Sequence, residues 1–365
     1  MSIQYIFKSG RINRLEKKNK FPKEFFYGYF YLYKRGFNVD LKEEDQIGIT
    51  RKNSLFFRIL DRLSILLCDV SLRQIFCLLN SHNLKLLNKS EILIVTTNSL
   101  GLTLSLLQRL GFIKKPIMFF VMGLIPLKTS FVKKKIYNFI LKNIDLVCIS
   151  KNEKRFLENI FNNKSISYIP FGVDREFWST NSKKILNENY VLAIGNDYSR
   201  DWKTLIESWE IDFPNLKLVT SLPVYTDKKN VTVIKGNWGR EFLSDEEIKV
   251  LYSNALYVVI PLKETIQPSG QSCCLQAMAC GKPVIMSKIK GVWDENLLRD
   301  RSNLLFVKSG SVMSLRNTLK EINNNKELQN KLSNNGKQLV DQFYNNELMS
   351  KHIESTIKGI IGETI

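Results

Sequence analysis

The stretch from Ile260 to Ser287 carries the densest set of residues suited to binding a ligand. It reads as a strand, a loop, a helix from about Gln271 to Cys280 and a second strand. Gly270 lets a ligand approach the backbone closely, and the open N–H groups at a helix start form an anion site. Ligands of open α/β sheets bind at the carboxyl ends of the strands, where this loop lies. The candidate binding residues here are Ser269, Gly270, Gln271, Ser272 and Gln276.

The same stretch, with SGQ followed by LQAMACGKPVI, resembles the donor-binding helix of the GT-B glycosyltransferases of family 4. The usual form of that helix is EGFG, three residues, then EAMA-x-G-x-PV. Three further stretches agree in order, and the first half of the chain matches only in outline. These stretches are IPFGVD at Ile169–Asp174, VLAIGNDYSRDWKTLIES at Val191–Ser208 and SDEEIKVLYSNALYVVIPL at Ser244–Leu262.

The resemblance implies a retaining transferase with a nucleotide-sugar donor in the C-terminal domain and an acceptor in the N-terminal domain. It implies no divalent metal, and the chain has no Asp-x-Asp pair to hold one. We therefore expect no cofactor besides the donor itself. Fixed protein charge must then stabilise the departing diphosphate. Arg200 and Lys203 are the candidate cations, and each is equally well read as an ordinary surface cation.

Asn237 and Trp238 follow a predicted strand and are candidates for contact with the nucleobase, although Trp238 is equally suited to a core. The chain departs from the family pattern at two positions. Gln276 and Pro268 stand where the family has two glutamates, and Gln276 can still hydrogen-bond a ribose without charge. Glu264, in the same loop, is the hypothetical substitute for the missing catalytic carboxylate, and the alternative is a solvated loop acid.

The family often has a histidine in the acceptor domain, and this chain has only His82 and His352. Neither follows the predicted strand Pro116–Val121, where such a residue is expected. We therefore assign no catalytic histidine. This absence leaves open an enzyme that uses other groups or a fold without activity.

Apolar runs that alternate with helical stretches predict the elements that carry these residues. Two successive sets of βαβ units predict two doubly wound, Rossmann-like α/β domains facing a cleft, with the boundary between 170 and 189. We place the acceptor domain at 1–172, the donor domain at 173–345 and a C-terminal helix at 346–365. The predicted strands are Ile3–Phe7, Phe37–Leu41, Ile92–Thr96, Pro116–Val121, Asp145–Ser150, Ile166–Pro170, Tyr190–Gly195, Leu216–Thr220, Val231–Gly236, Leu256–Leu262, Pro283–Ser287 and Asn303–Val307.

Several helices are also predicted from start signals and length. Glu24–Lys34 and Phe131–Lys142 have helical length. Ser244, with Glu247 three residues later, forms a capping box, and Asp201 is a candidate N-cap.

Of the 365 residues, 44% are hydrophobic, which is the composition of a globular protein. The net charge of +19 favours phosphate-rich partners, although the abundance of lysine, asparagine and isoleucine also fits a compositional bias. Basic residues are spread along the chain without interleaved aromatics, so nucleic acid is not predicted as a partner. The six cysteines have no CxxC spacing, which predicts free thiols rather than a zinc or redox site.

Charged residues, among them Arg58, Arg62, Asp69 and Arg73, interrupt the apolar segment Leu55–Leu79, so it does not predict a membrane span. It is read either as a core helix or as a helix lying in an anionic membrane interface. The N-terminus lacks the apolar core of a signal peptide, and we expect a cytoplasmic protein at the inner face of the membrane.

The preferred function is transfer of a hexose from a nucleoside-diphosphate sugar to a glycan or lipid-linked acceptor in surface polysaccharide synthesis. A nucleotide-sugar epimerase or hydrolase on the same fold is one alternative, and the scarcity of histidine argues against it. A non-catalytic nucleotide-sugar-binding protein is the other, and the departures at Pro268 and Gln276 favour it. Binding of a nucleoside diphosphate without turnover would indicate this last function.

Overall fold

The computed structural model describes residues 1–16, 20–44, 46, 55–161, 165–179, 189–236 and 243–362. The chain divides into two compact units. The first unit comprises Met1–Lys18, Phe26–Ile169 and Ser350–Ile365, and the second comprises Asn19–Phe25 and Pro170–Met349.

The first unit contains a six-stranded parallel sheet in the order β2-β1-β3-β4-β5-β6. Its central strand β3 (Ile92–Val95) is buried along its whole length, as expected of a parallel sheet covered on both faces. The other strands are β1 (Ser2–Phe7), β2 (Asn38–Glu43), β4 (Ile117–Val121), β5 (Asp145–Cys148) and β6 (Ile166–Tyr168).

The second unit contains another six-stranded parallel sheet, in the order β12-β11-β10-β7-β8-β9. Its core joins the strands to Trp202, Trp209 and Leu319 from the flanking helices. The strands are β7 (Tyr190–Ile194), β8 (Asn215–Thr220), β9 (Val231–Lys235), β10 (Ala255–Ile260), β11 (Val284–Lys288) and β12 (Leu305–Lys308).

Helices occupy most of the connections between these strands. They are α1 (Ile12–Glu16), α2 (Tyr29–Lys34), α3 (Leu55–Cys68), α4 (Leu72–Leu78), α5 (Ser81–Leu87), α6 (Asn98–Arg109), α7 (Phe131–Ile140), α8 (Lys151–Glu158), α9 (Arg175–Trp178), α10 (Trp202–Ser208), α11 (Asp245–Asn254), α12 (Gln271–Ala279), α13 (Val312–Asn324), α14 (Lys326–Phe343) and α15 (Asn346–Ile361), with a 3-10 turn at Glu24–Phe26. The Ser244 side chain accepts the Glu247 amide, and the Asp201 side chain accepts the Thr204 amide, so both predicted caps are confirmed.

The prediction of two doubly wound α/β domains is confirmed, and each of the twelve predicted strands is present within a few residues of its bounds. Two helix predictions are wrong. Glu24–Lys34 is not one helix, because Tyr27 and Gly28 have φ angles of 46° and 79° and separate the 3-10 turn from α2. Leu55–Leu79 is two helices, because Asp69 has a φ of 55° and Ser71 then caps α4.

Candidate functional site

The candidate site lies in the second unit, at the carboxyl ends of β7 and β10. The strands β8 and β9 continue the sheet on one side of β7, and β10, β11 and β12 continue it on the other. The strand order therefore reverses between β7 and β10. Such a reversal opens a crevice at the carboxyl edge, and open α/β sheets bind their ligands there. The loops that follow β7 and β10 line this crevice.

These two loops are joined directly by hydrogen bonds. The amide of Asp201 donates to the carbonyl of Pro261 at 3.0 Å, and the amide of Lys263 donates to the carbonyl of Ser199 at 2.7 Å. The hydroxyls of Ser199 and Ser269 lie 2.7 Å apart. The loops thus form one continuous surface, in which the predicted residue Ser269 is buried.

Arg200 is the central cation of this surface, and only 4% of it is exposed. Its Nε atom lies 2.9 Å from an Asp197 carboxylate oxygen, and its Nη2 atom donates to Cys273 Sγ at 3.3 Å. Nη1 has no hydrogen-bond partner within the described part of the chain. A buried guanidinium with an unused donor is costly unless a further acceptor is available, and phosphate oxygens match that geometry.

Two glycines make room for Arg200. A Cβ atom at Gly195 would lie 2.0 Å from Arg200 Nε, which no real side chain permits. Gly270 has a φ of +77°, and a Cβ there would lie 2.6 Å from Ile260 Cγ2 and 3.1 Å from Arg200 Nη1. Gly270 therefore brings the free end of the guanidinium against the backbone at the start of α12.

The start of α12 supplies further donors. Gly270 is the N-cap and provides no side-chain cap. The amides of the first helical turn have no partner within a helix, so those of Ser272 and Cys273 point outward beside the guanidinium. Ser272 is half-buried and Gln271 is buried. The structure thus brings together four predicted groups, namely Arg200, Ser269, Gly270 and the amides of this turn.

Gln276 lies deeper in the same helix and is completely buried. Its Nε2 atom donates to Glu24 Oε1 at 3.1 Å, and its Oε1 atom accepts from the hydroxyl of Tyr252 at 3.4 Å. Both ends of the amide are therefore engaged with protein groups. Contact between Gln276 and a ribose stays a prediction, and it would require the amide to exchange these partners.

Glu24 is a functional candidate that sequence reasoning missed. It is fully buried within the second unit, and its carboxylate accepts from Trp178 Nε1 at 2.8 Å and from the Asp174 amide at 3.1 Å, besides Gln276. Burial raises the pKa of this carboxyl to about 7, although the three donors oppose the rise. A contact across 252 residues leaves no local signal, and Glu24 reads along the chain only as the start of a helix.

A chain of side chains links Glu24 to the cation. Cys273 receives the Arg200 donor and also hydrogen-bonds the side chain of Tyr252, whose hydroxyl meets Gln276. Burial raises the pKa of the Tyr252 hydroxyl, and the neighbouring Cys273 raises it further. The hydroxyl therefore stays neutral and can donate a hydrogen bond. Arg200 and the buried carboxyl of Glu24 thus belong to one polar network inside the second unit.

The remaining predicted residues lie outside this network or outside the described residues. Lys203 is 84% exposed, and its ammonium lies 3.8 Å from Glu207. Glu264 is exposed, and its Oε1 atom accepts the Lys290 amide at 2.8 Å, which ties its loop to the segment after β11. Their proposed roles stay predictions. Asn237 and Trp238 fall outside the described residues.

The first unit has a second buried carboxyl beyond the end of β4, where sequence reasoning looked for a histidine. Glu153 Oε1 accepts the amides of Gly123 at 2.6 Å and Leu124 at 3.2 Å. Burial raises its pKa to about 8. His82 and His352 are both exposed.

Neither a metal cluster nor a membrane span is found among the described residues. No group of three or more His, Cys, Asp or Glu side chains there is placed to hold a metal ion. None of the helices within the described ranges is long and apolar enough to cross a bilayer.

Comparison with known proteins gives both a family match and relatives. Residues 240–339 match the family model described as glycosyl transferases group 1, a segment that contains β10 and α12. An uncharacterized glycosyltransferase from Methanocaldococcus jannaschii is 28% identical over 227 residues, which make up 60% of this chain and 60% of that protein. The match therefore spans less than two thirds of that curated relative.

Solved structures resemble the chain along nearly its whole length. Sucrose-phosphate synthase from Thermosynechococcus elongatus has a TM-score of 0.72 at 16% identity and covers 100% of both chains. Anabaena HepE in complex with UDP-glucose has a TM-score of 0.71 at 14% identity, over 98% of this chain and 100% of that one. Identities this low show the fold alone, and with the family match they confirm the predicted resemblance to GT-B glycosyltransferases.

Proposed function

We propose that this chain, which carries a glycosyl transferases group 1 domain on a GT-B fold, is a glycosyltransferase that uses a nucleoside-diphosphate sugar as donor. One observation carries the proposal. The unused Nη1 donor of buried Arg200 and the uncapped first turn of α12 converge at the point where the strand order of the second sheet reverses. Two fixed sources of positive potential at a ligand-binding edge suit a diphosphate.

The chemistry follows from the charge that develops when the glycosidic bond to the diphosphate breaks. The sugar acquires oxocarbenium character, and the leaving diphosphate gains negative charge. Arg200 and the α12 amides would stabilise that charge without moving, because neighbouring groups already hold them in place. This arrangement supports a metal-independent reaction. A retaining outcome and assignment to family 4 rest on the motif resemblance.

The substrates are proposed at the level that the comparisons support. The HepE structures contain UDP or UDP-glucose, which supports a nucleotide-sugar donor, with a hexose as the transferred group. The acceptor is proposed to be a glycan or a lipid-linked sugar in surface polysaccharide synthesis, used at the cytoplasmic face of the membrane. The high positive charge of the chain, +19, supports work beside an anionic surface.

The test is a thermal-shift and hydrolysis screen against UDP, GDP, ADP and their common sugar conjugates. Nucleotide at about 100 times its dissociation constant adds about 2.7 kcal/mol to the stability of the folded state. We expect one diphosphate to raise the melting temperature selectively, with slow hydrolysis of the matching sugar donor.

The variant Arg200→Lys should lose most of this stabilisation, because a single ammonium cannot replace the guanidinium fork. Lys337→Ala is the matched control, since it removes an exposed cation of α14 in the same unit but outside the candidate site, and it should keep the stabilisation. The unliganded melting temperature of each variant separates loss of binding from loss of folding. Failure of every nucleotide to stabilise the wild-type chain would contradict the donor site.

A non-catalytic nucleotide-sugar-binding protein is the second candidate, and the state of Gln276 favours it. The resemblance places a family glutamate at this position, whereas this amide is buried and bound to Glu24 and Tyr252. Selective stabilisation by a diphosphate, with no hydrolysis and no transfer to any offered acceptor, would support this function over the transferase. A nucleotide-sugar epimerase would instead interconvert the donor sugar in the same assay.

A further inference from the structure

Helix α3, in the first unit, is oriented with its apolar side outward. It buries Asp61 and partly buries Ser64, whereas Leu63, Leu66 and Leu67 are exposed, Leu66 to 74%. A helix on the surface of a water-soluble domain normally does the reverse. This exposure of several neighbouring leucines needs a physical explanation, because large exposed apolar patches mark interaction sites.

The buried polar groups of α3 explain how this orientation is held. Asp61 Oδ1 accepts from the hydroxyl of Ser71 at 2.8 Å and from the amide of Arg73 at 3.1 Å. The hydroxyl of Ser64 donates to the carbonyl of Val70 at 2.9 Å. These bonds fix the polar side of α3 against the start of α4, so the outward orientation of the leucines is specified by the fold.

Helix α7 extends the exposed apolar area. Phe131 is 72% exposed, and Val132 beside it is also exposed. The end of α3 meets α7 through Asp69, whose carboxylate lies 2.7 Å from Lys133 Nζ and accepts from the hydroxyl of Tyr137. The end of α3 therefore packs against α7, and both helices expose apolar side chains. We call the exposed side of α3 and α7 the α3–α7 surface.

The charge around this surface has one sign. The segments 55–80 and 126–144 contain three arginines and five lysines, against two aspartates. Asp61 is buried and Asp69 is paired with Lys133, so neither offsets the exposed cations. Arg58, Arg62 and Lys135 are exposed. The apolar side chains are thus surrounded by uncompensated positive charge.

We propose that the α3–α7 surface docks on a lipid bilayer that contains anionic headgroups. Its leucines and Phe131 would insert among the acyl chains near the headgroups, and its lysines and arginines would pair with lipid phosphates. The centres of protein–protein interfaces are depleted in lysine, so this composition favours a bilayer over a protein partner. Docking would bring the chain to the proposed lipid-linked acceptor, and only this purpose rests on the proposed function. Binding to the bilayer itself needs no turnover.

The test is co-sedimentation of the full chain with vesicles of phosphatidylcholine alone or mixed with phosphatidylglycerol. We expect binding to the anionic vesicles only. The double variant Leu66→Ser, Leu67→Ser should weaken this binding about tenfold or more, because it removes apolar area at the bilayer. Lys135→Glu should weaken it about fivefold or more, from the attraction of one cation to an anionic surface.

Matched controls change similar residues elsewhere. Met313→Ser removes an exposed apolar side chain from α13, and Lys337→Glu reverses an exposed charge on α14. Both should bind vesicles like the wild type. Equal binding by the surface variants, or equal binding to neutral vesicles, would overturn the proposal. A change of the leucine variant from dimer to monomer in sedimentation velocity, without vesicle binding by the wild type, would assign the surface to a second copy of the chain.

The nucleotide thermal shift is measured on the same variants. It should be unchanged in all of them, because the residues altered on the α3–α7 surface lie in the other unit from Arg200, and the control positions lie outside the candidate site. Vesicle binding without any nucleotide effect would keep the docking surface and refute the proposed transferase. A nucleotide effect without vesicle binding would do the opposite.

Discussion

The variant Glu24→Gln tests the buried polar network of the second unit through its pH dependence. The pKa of this carboxyl is raised from 4.5 to about 7 in the folded state, mainly by burial. Between these two values the folded chain binds more protons at Glu24 than the unfolded chain does. The stabilising contribution is therefore fully present below about pH 4.5 and is lost as the pH rises through about 7.

The size of the effect follows from the two pKa values. At about 1.4 kcal/mol for each pH unit, the wild type loses about 2 kcal/mol from this group between about pH 5.5 and about pH 8. A glutamine at position 24 does not titrate in this range, so the variant lacks this loss. The difference in unfolding free energy, wild type minus Glu24→Gln, should fall by that amount across the interval.

The assay is equilibrium unfolding in urea followed by tryptophan fluorescence. All five tryptophans lie within Pro170–Met349, so the signal reports on the second unit. Glu246→Gln, which changes an exposed glutamate of α11, is the matched control and should run parallel to the wild type. If Glu24→Gln also ran parallel to the wild type across the pH range, the argument for a proton held on Glu24 would be refuted.

Three further predictions concern the candidate site. Gly270→Ala should lower the melting temperature and abolish nucleotide stabilisation. The control is Gly310→Ala, because Gly310 has a similar φ of +69° and no atom lies within 4 Å of the position that a Cβ would take. This control should lower the free energy of unfolding only by the cost of backbone strain, about 1 kcal/mol. Glu264→Gln should leave stability unchanged, because its amide oxygen can still accept the same backbone N–H, and should reduce turnover about 100-fold; unchanged turnover would remove Glu264 from catalysis. Gln276→Glu should destabilise the chain by about 2 kcal/mol or more, by placing a second carboxyl against Glu24, and Glu24→Gln in the same chain should relieve most of that loss in a double-mutant cycle.

Much of the fold could be predicted because its signals are local. Each strand of a covered parallel sheet is a short apolar run, such as Ile92–Val95, and it is recognisable without knowledge of its neighbours. The cap at Ser244 and the helix after Gly270 are also encoded within a few residues. For the same reason, the position at which α12 starts could be predicted from the sequence alone.

Other features could not be predicted, because they depend on partners distant in sequence. The role of Glu24 depends on contacts with Trp178 and Gln276, more than 150 residues away. The orientation of α3 could not be predicted either. An amphipathic pattern has the same periodicity whether the apolar side of the helix faces inward or outward. The hydrogen bonds of Asp61 hold the polar side of α3 inward, and they involve residues at the start of a different helix, α4.

The departure at Gln276 has a physical explanation in the same network. The resemblance places a glutamate at this position, yet a carboxylate there would face the carboxylate of Glu24 across 3.1 Å in a fully buried site. Two such groups cannot both ionise, so one would have to stay protonated. Glutamine removes the conflict, because its N–H donates to Glu24 while its oxygen accepts from Tyr252. The carboxyl group of this buried site is therefore supplied by Glu24, which lies near the start of the chain. The neutral side chain of Gln276 allows Glu24 to occupy this site.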